Sequence, residues 1–241
     1  MTKCKHCKQA ITDNFCANCG HAAKIKRIDK HYLSHEILHL LHFEKGFPYT
    51  FRQLITRPGH SIREFITEDR SKHMKPVAYL ILTSLLYTLV AHAFHADDFA
   101  SNTQNDALSH SIYGKIQHWV QTNYGYANIL MGGLIALCVS LFFRKYRYNL
   151  FEITVLLCFI MGEGMLILTL LTLFYGLLGK GAYAILLGVI SLVYPTWAIG
   201  QFFDAKKPVS YVKAFFAYSL GYLSFQIVLL LLAMAIDLIS R

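Results

Sequence analysis

Five long apolar stretches divide the last two thirds of the chain, near residues 76–95, 126–143, 150–178, 182–203 and 214–239. A bilayer's hydrocarbon core, about 30 Å thick, takes roughly 20 helical residues to cross. Each stretch is about that length or longer. The longest follows a basic turn, Arg144, Lys145 and Arg147, and between Glu152 and Lys180 its one formal charge is Glu163. The pattern predicts an all-α integral membrane domain over residues 76–241 with about five transmembrane helices. Gly132 and Gly133 in the second stretch suit close helix approach, and Pro195 predicts a kink in the fourth. Residues 110–122 read as an amphipathic piece or a re-entrant helix. Residues 204–208 read as a short basic loop, and residues 208–216 as a segment able to lie flat before the fifth span.

Ahead of the first span the pattern becomes amphipathic. From Asp29, a candidate N-cap, to Phe43 the spacing predicts a helix with Leu33, Ile37, Leu40 and Leu41 on one face. His31, His35, His39 and His42 fall on the opposite face. Histidines at i and i+4 can share a metal, so this stripe is either a second metal or pH-sensing site or simply a polar face rich in histidine. Gly46 ends that helix. FPYTFRQLIT opens another with Pro48 in its first turn, Arg57-Pro58-Gly59 is a turn, and a short helix runs from Ser61 to Glu68. Residues 24–75 are therefore expected to form a helical segment lying on the cytoplasmic membrane surface.

Residues 1–23 differ again. Cys4-Lys-His-Cys7 and Cys16-Ala-Asn-Cys19 form two CxxC knuckles, with Gly20 after the second. Two such turns supply four thiolates for a tetrahedral ion. Zn2+ is the expected cofactor, with rubredoxin-like iron as its rival. A closed four-sulfur shell has no open position for catalysis. Phe15 is expected to plug the ribbon's small core, and Lys3, Lys5, Lys8, Lys24, Lys26 and Arg27 surround it. That basic halo suits anionic lipid headgroups or a protein partner better than nucleic acid, given the nearby membrane.

Composition agrees with the pattern. The chain of 241 residues is 55% hydrophobic and 15% charged, with mean hydropathy +0.39 and net charge +9. Residues 1–75 hold 14 Lys and Arg, and the loops near 144–149 and 206–213 hold three each; Lys115, Lys180 and Arg241 remain. The positive-inside rule then puts the N-terminus in the cytoplasm and the C-terminus in the periplasm. Reduced thiols at the N-terminus agree with that placement. The polar start MTKCKHCKQA predicts no cleavable leader.

Inside the membrane, Glu163 between Gly162 and Gly164 is the leading polar candidate. At about 1.5 Å per residue, Glu163, His92 and Gln226 lie roughly 20, 24 and 18 Å from the cytoplasmic ends of their spans. The three are expected to form a central polar layer, which serves either a proton, ion or substrate path or helix packing alone. HExxH, GxSxG and P-loop patterns do not occur, so those enzyme classes have no support.

The ribbon's CxxC…FCxxCGH, the segment HFEKGFPYTFRQLITRPGHSIREFI and the run KPVAYLIL together resemble an uncharacterised family of bacterial zinc-ribbon membrane proteins of unknown function. The shared pattern is G-F-x-x-T, then R-P-G, then a basic residue and Pro at the first span, over roughly residues 4–85. The loop RKYRYNLFE is similar to a later family feature, a basic Tyr-containing loop before an acid, here Glu152. The family shows a histidine after that acid where this chain has Ile153. The resemblance implies a bacterial inner-membrane protein with a cytoplasmic ribbon and implies no activity.

Two functions compete on these grounds. One is a non-enzymatic adaptor or scaffold whose ribbon and basic helices bind a partner or anionic lipid. The other is a small permease or channel built around Glu163. A lipid-modifying enzyme is a third and weaker reading, and an oligomer is compatible with any of them.

Overall fold

Helix starts along the chain are marked by residues that need no backbone donor or that supply an acceptor. Proline opens three helices, α2 (Pro58–Thr67), α3 (Pro76–Ala93) and α9 (Pro208–Ser240), where its missing N–H has no cost. Asn149 caps α6 (Leu150–Leu173) in a capping box with Glu152, each side chain taking the other's backbone N–H at 2.8 Å. Ser111 caps α4 (Ile112–Thr122) by accepting from the Gly114 N–H.

The computed structural model describes residues 2–4, 7, 9–11, 14–20, 46–94 and 111–240. The expected Asp29–Phe43 helix, with His31, His35, His39 and His42, lies outside the described residues. Two short strands, β1 (Thr2–Lys3) and β2 (Ala10–Ile11), pair antiparallel with Thr2 opposite Ile11. The remaining helices are α1 (Phe47–Thr56), α5 (Tyr124–Phe142), α7 (Tyr175–Leu178) and α8 (Lys180–Asp204). Among the described residues five helices, α3, α5, α6, α8 and α9, are long and apolar enough to cross a membrane. This is an all-α, polytopic membrane architecture.

Helix α6 is the axis of the bundle. Every residue from Val155 to Glu163 is buried, so for more than two turns α6 has no outward face. That is why its sequence is apolar all round instead of striped. It packs against α3, α8 and α5 and, along its first half, against α1 and α2. Helices α3 and α6 run the same way: Tyr79 meets Glu163, and further along Tyr87 clusters with Leu168. Helix α9 lies on α5, α8 and α4.

Four expectations change. The third span ends at Leu173 instead of running to 178, because the chain breaks at Phe174 into the single turn α7. The fifth span starts at Pro208, so residues 208–216 are part of a continuous α9. Residues 112–122 form one helix held on α9, where Gln117 Nε2 donates to Gln226 Oε1 at 2.8 Å. Most consequentially, α1 and α2 do not simply lie along a surface. Leu54, Ile62 and Phe65 are at most 1% exposed and belong to the main core.

Hydrogen bonds fix that inward placement. The Gly59 N–H donates to Gln201 Oε1 at 2.7 Å, and the Arg63 guanidinium donates to the Gln201 and Phe202 carbonyls. Arg63 thereby answers orphan carbonyls at the C-terminal end of α8, where a cation is favoured. Tyr194 of α8 donates to the Leu54 carbonyl at 3.2 Å.

Candidate functional site

Four thiols come together at the N-terminus. The Sγ atoms of Cys4, Cys7, Cys16 and Cys19 all lie within 4.8 Å of one another. Cys4 and Cys19 are 3.6 Å apart, and Cys7 and Cys16 are 3.5 Å apart. Zinc–sulfur bonds of about 2.3 Å in a tetrahedron place sulfurs roughly 3.8 Å apart, so the thiol set fits a metal ion of that kind. The backbone builds the site. The Cys4 N–H donates to the Gln9 carbonyl at 2.7 Å, and the Gly20 N–H to the Cys16 carbonyl at 2.8 Å. Gly20, directly after the second knuckle, takes φ +69°, a left-handed conformation that glycine adopts without strain. A backbone hydrogen bond from Gln9, helped by Cys16, Cys19 and Asn18 against burial, pushes the Cys7 thiol down to about 6. That favours the thiolate, the form that binds metal. Phe15 is not the plug: it is 64% exposed, and the buried centre is the thiols themselves.

A second polar site lies within the bundle. Glu163 is fully buried, its Oε2 accepts from the Tyr79 hydroxyl, and its Oε1 has no hydrogen-bond partner. The two glycines beside it differ. A Cβ on Gly162 would meet the Tyr79 ring at 2.8 Å and the Leu80 Cα at 3.2 Å, whereas Gly164 has nothing within 4 Å. Gly162 is thus the contact through which α3 approaches close enough for Tyr79 to reach Glu163.

Aromatic rings link this pair to the segment before α3. Tyr79 packs against Phe47 and Phe159 at ring-centroid distances of 5.6 and 6.1 Å. Phe159 meets Phe65 edge-on at 5.0 Å and His73 at 6.1 Å. His73 is 5% exposed, and neither ring nitrogen has a partner. Burial pushes this imidazole down to about 4, with the Asp69 charge opposing.

Glu163, His92 and Gln226 do not make one layer. Gln226 exchanges hydrogen bonds with Gln117, Tyr113 and Tyr222, and His92 is exposed near the end of α3. The depth estimate also shifts, because α9 begins at Pro208 and puts Gln226 about 27 Å along its helix. Glu152 is spent on the α6 cap. Tyr79 and His73 were the residues that sequence reasoning did not single out. Tyr79 stood in view in KPVAYLIL as a hydroxyl one turn into a span.

The hydrogen bonds of the first helices explain the G-F-x-x-T and R-P-G patterns. Thr50 Oγ1 donates to the Gly46 carbonyl at 2.8 Å and accepts from the Met74 N–H at 2.9 Å, tying α1 to the chain that leads into α3. A Cβ on Gly46 would press on the backbone of Lys72 and Met74 at 2.8 Å, and one on Gly59 would collide with the backbone of Gln201 and Phe202. Residues 44–88 match a family described as a protein of unknown function, DUF3667. The matched span carries α1, α2 and most of α3, with Tyr79 and His73 inside it. It begins after the ribbon, so the four cysteines and a bacterial setting are no part of the match. No curated protein and no solved structure matches the chain.

Proposed function

We propose that the protein is a non-enzymatic membrane adaptor: a zinc ribbon, presented in the cytoplasm, docks a protein partner, and the helical bundle anchors it in a bacterial inner membrane. The observation that carries this reading is the closed set of four thiols within 4.8 Å. Four sulfurs complete a tetrahedral shell, so the ion they suit is structural, and four thiolates select zinc over the common hard cations. The excess of Lys and Arg before the first span supports a cytoplasmic N-terminus and, with five spans, a periplasmic C-terminus.

A second reading has its own support. Glu163 is fully buried, with one oxygen unpartnered and no ion pair among the described residues. An intramembrane carboxyl group of this kind is often part of a path for protons, ions or a small solute. One experiment separates the two. In cells where loss of the protein has a visible effect, Cys16→Ser and Glu163→Gln are compared at matched membrane expression. The adaptor reading expects loss of function from Cys16→Ser and tolerance of Glu163→Gln. The opposite order overturns it in favour of permeation.

A further inference from the structure

Two interhelical loops meet at one end of the bundle. Residues 143–149 join α5 to α6, and residues 205–207 join α8 to α9. Phe143 stacks on Phe203 at 3.9 Å with 8° between the rings, and Tyr146 closes on Phe203 at 5.2 Å. This aromatic lock brings two basic loops to the same corner. Arg144, Lys145 and Lys206 are exposed there and form no ion pair among the described residues. Lys207 differs, being paired with Asp204 at 2.8 Å.

Exposed apolar side chains lie on the helix side of these cations: Leu141 and Phe142 on α5, Val209 and Val212 on α9. The two helices touch directly, since Gly221 packs on Ile135. Cations without ion pairs at helix ends, adjoining in sequence exposed apolar side chains on the same helices, match the charge and the apolar tails of a phospholipid. We propose that this corner binds an anionic phospholipid, its phosphate held by Arg144, Lys145 and Lys206 and its acyl chains laid along Leu141, Phe142, Val209 and Val212. Asp204, the carboxylate at this corner, is paired with Lys207 and accepts from the Lys206 backbone N–H, and three cations with no ion pair of their own favour a headgroup with net negative charge over a zwitterionic one, which carries its own cation. The corner sits at the ends of four of the five long apolar helices found among the described residues. This site is independent of the ribbon.

The test uses the full chain purified in detergent, with phosphatidylglycerol or phosphatidylcholine added and bound lipid read by native mass spectrometry. Wild type should retain phosphatidylglycerol in preference to phosphatidylcholine, and inorganic phosphate should not displace it. Each Lys or Arg near an anionic surface contributes roughly fivefold to affinity. The R144Q/K145Q/K206Q variant should therefore bind phosphatidylglycerol about a hundredfold more weakly, while R144K/K145R/K206R keeps the wild-type preference. If circular dichroism shows that the triple Gln variant has lost helix, the single change Lys206→Gln, about fivefold weaker, decides the matter. Equal retention of the two lipids by wild type, unchanged binding in the Gln variants, or displacement by inorganic phosphate overturns the proposal.

Discussion

Tyr79, in the first turn of α3, donates its hydroxyl proton to the carboxyl of Glu163, which lies past the middle of α6. Counted along its own helix, Tyr79 is only about 5 Å from the start and Glu163 about 20 Å. Because the two helices run the same way, α6 must begin roughly 15 Å below α3 along their shared direction. The lower half of α6 is therefore sheathed by α1 and α2, which precede the first span.

The Tyr79–Glu163 bond should respond differently to its two kinds of removal. Glu163→Gln keeps an acceptor for the Tyr79 hydroxyl and is expected to shift stability by less than about 1 kcal/mol. Glu163→Leu strands a buried hydroxyl and should cost about 1–3 kcal/mol. Thermal unfolding in detergent measures both. A cycle with Tyr79→Phe should show coupling of at least about 0.5 kcal/mol, and additive effects would show that the bond contributes nothing.

Gly162 and Gly164 flank the same carboxyl but should not be equivalent. Gly162→Ala drives a methyl group into the Tyr79 ring and the α3 backbone, and overpacking of this kind costs typically about 1–3 kcal/mol. Gly164→Ala meets open space and should leave the melting temperature unchanged or slightly raised, because alanine favours helix. Equal effects would contradict the asymmetric packing.

His73 supplies a pH dependence. Its imidazole is held down to about 4 in the folded protein against an ordinary 6.5. Between those values the unfolded chain binds a proton that the folded chain does not, so stability falls as pH falls from about 6.5 to 4. The loss should approach about 2–3 kcal/mol by pH 4. His73→Phe, which keeps an aromatic ring among Tyr49, Phe65 and Phe159, should flatten that part of the profile. Unfolding midpoints measured across the window check it.

The ribbon gives a metal prediction. Wild-type protein should carry one zinc per chain by elemental analysis, and Cys16→Ser should carry little or none, because a three-sulfur remnant binds far less tightly. Helix content should persist in the variant, since no described thiol of the ribbon belongs to the main core. Retention of a full complement of zinc by Cys16→Ser would show that Cys16 is not a ligand.

Much of this architecture was legible from local pattern. Five apolar runs became five long helices, two CxxC knuckles became one thiol cluster, and Pro76 opens the first long helix as expected; Pro58, read as part of a turn, and Pro208, read as the end of a loop, open helices instead. What was not legible depends on partners distant in sequence. The apolar faces of α1 and α2 can be read locally, but Phe159 and Gln201, against which they rest, lie on later helices. Depths counted from each helix start assumed a common plane. The offset of α6 breaks that assumption, which is why Glu163 pairs with Tyr79 and not with His92 or Gln226. The stop at Phe174 was hidden because the residues after it are as apolar as those before.

The grip of α1 and α2 on α8 also bears on how the chain is made. Gly59 and Gln201 are 142 residues apart, and Leu54 and Tyr194 are 140 apart. Helices α1 and α2 leave the ribosome long before α8 exists, so their seat, begun against α6 and the chain leading into α3, is completed only when the fourth span has been synthesised. The DUF3667-matched segment is thus the first part of the bundle to be made and one of the last to find its place, so a chain truncated before α8 is expected to expose it to chaperones and proteases.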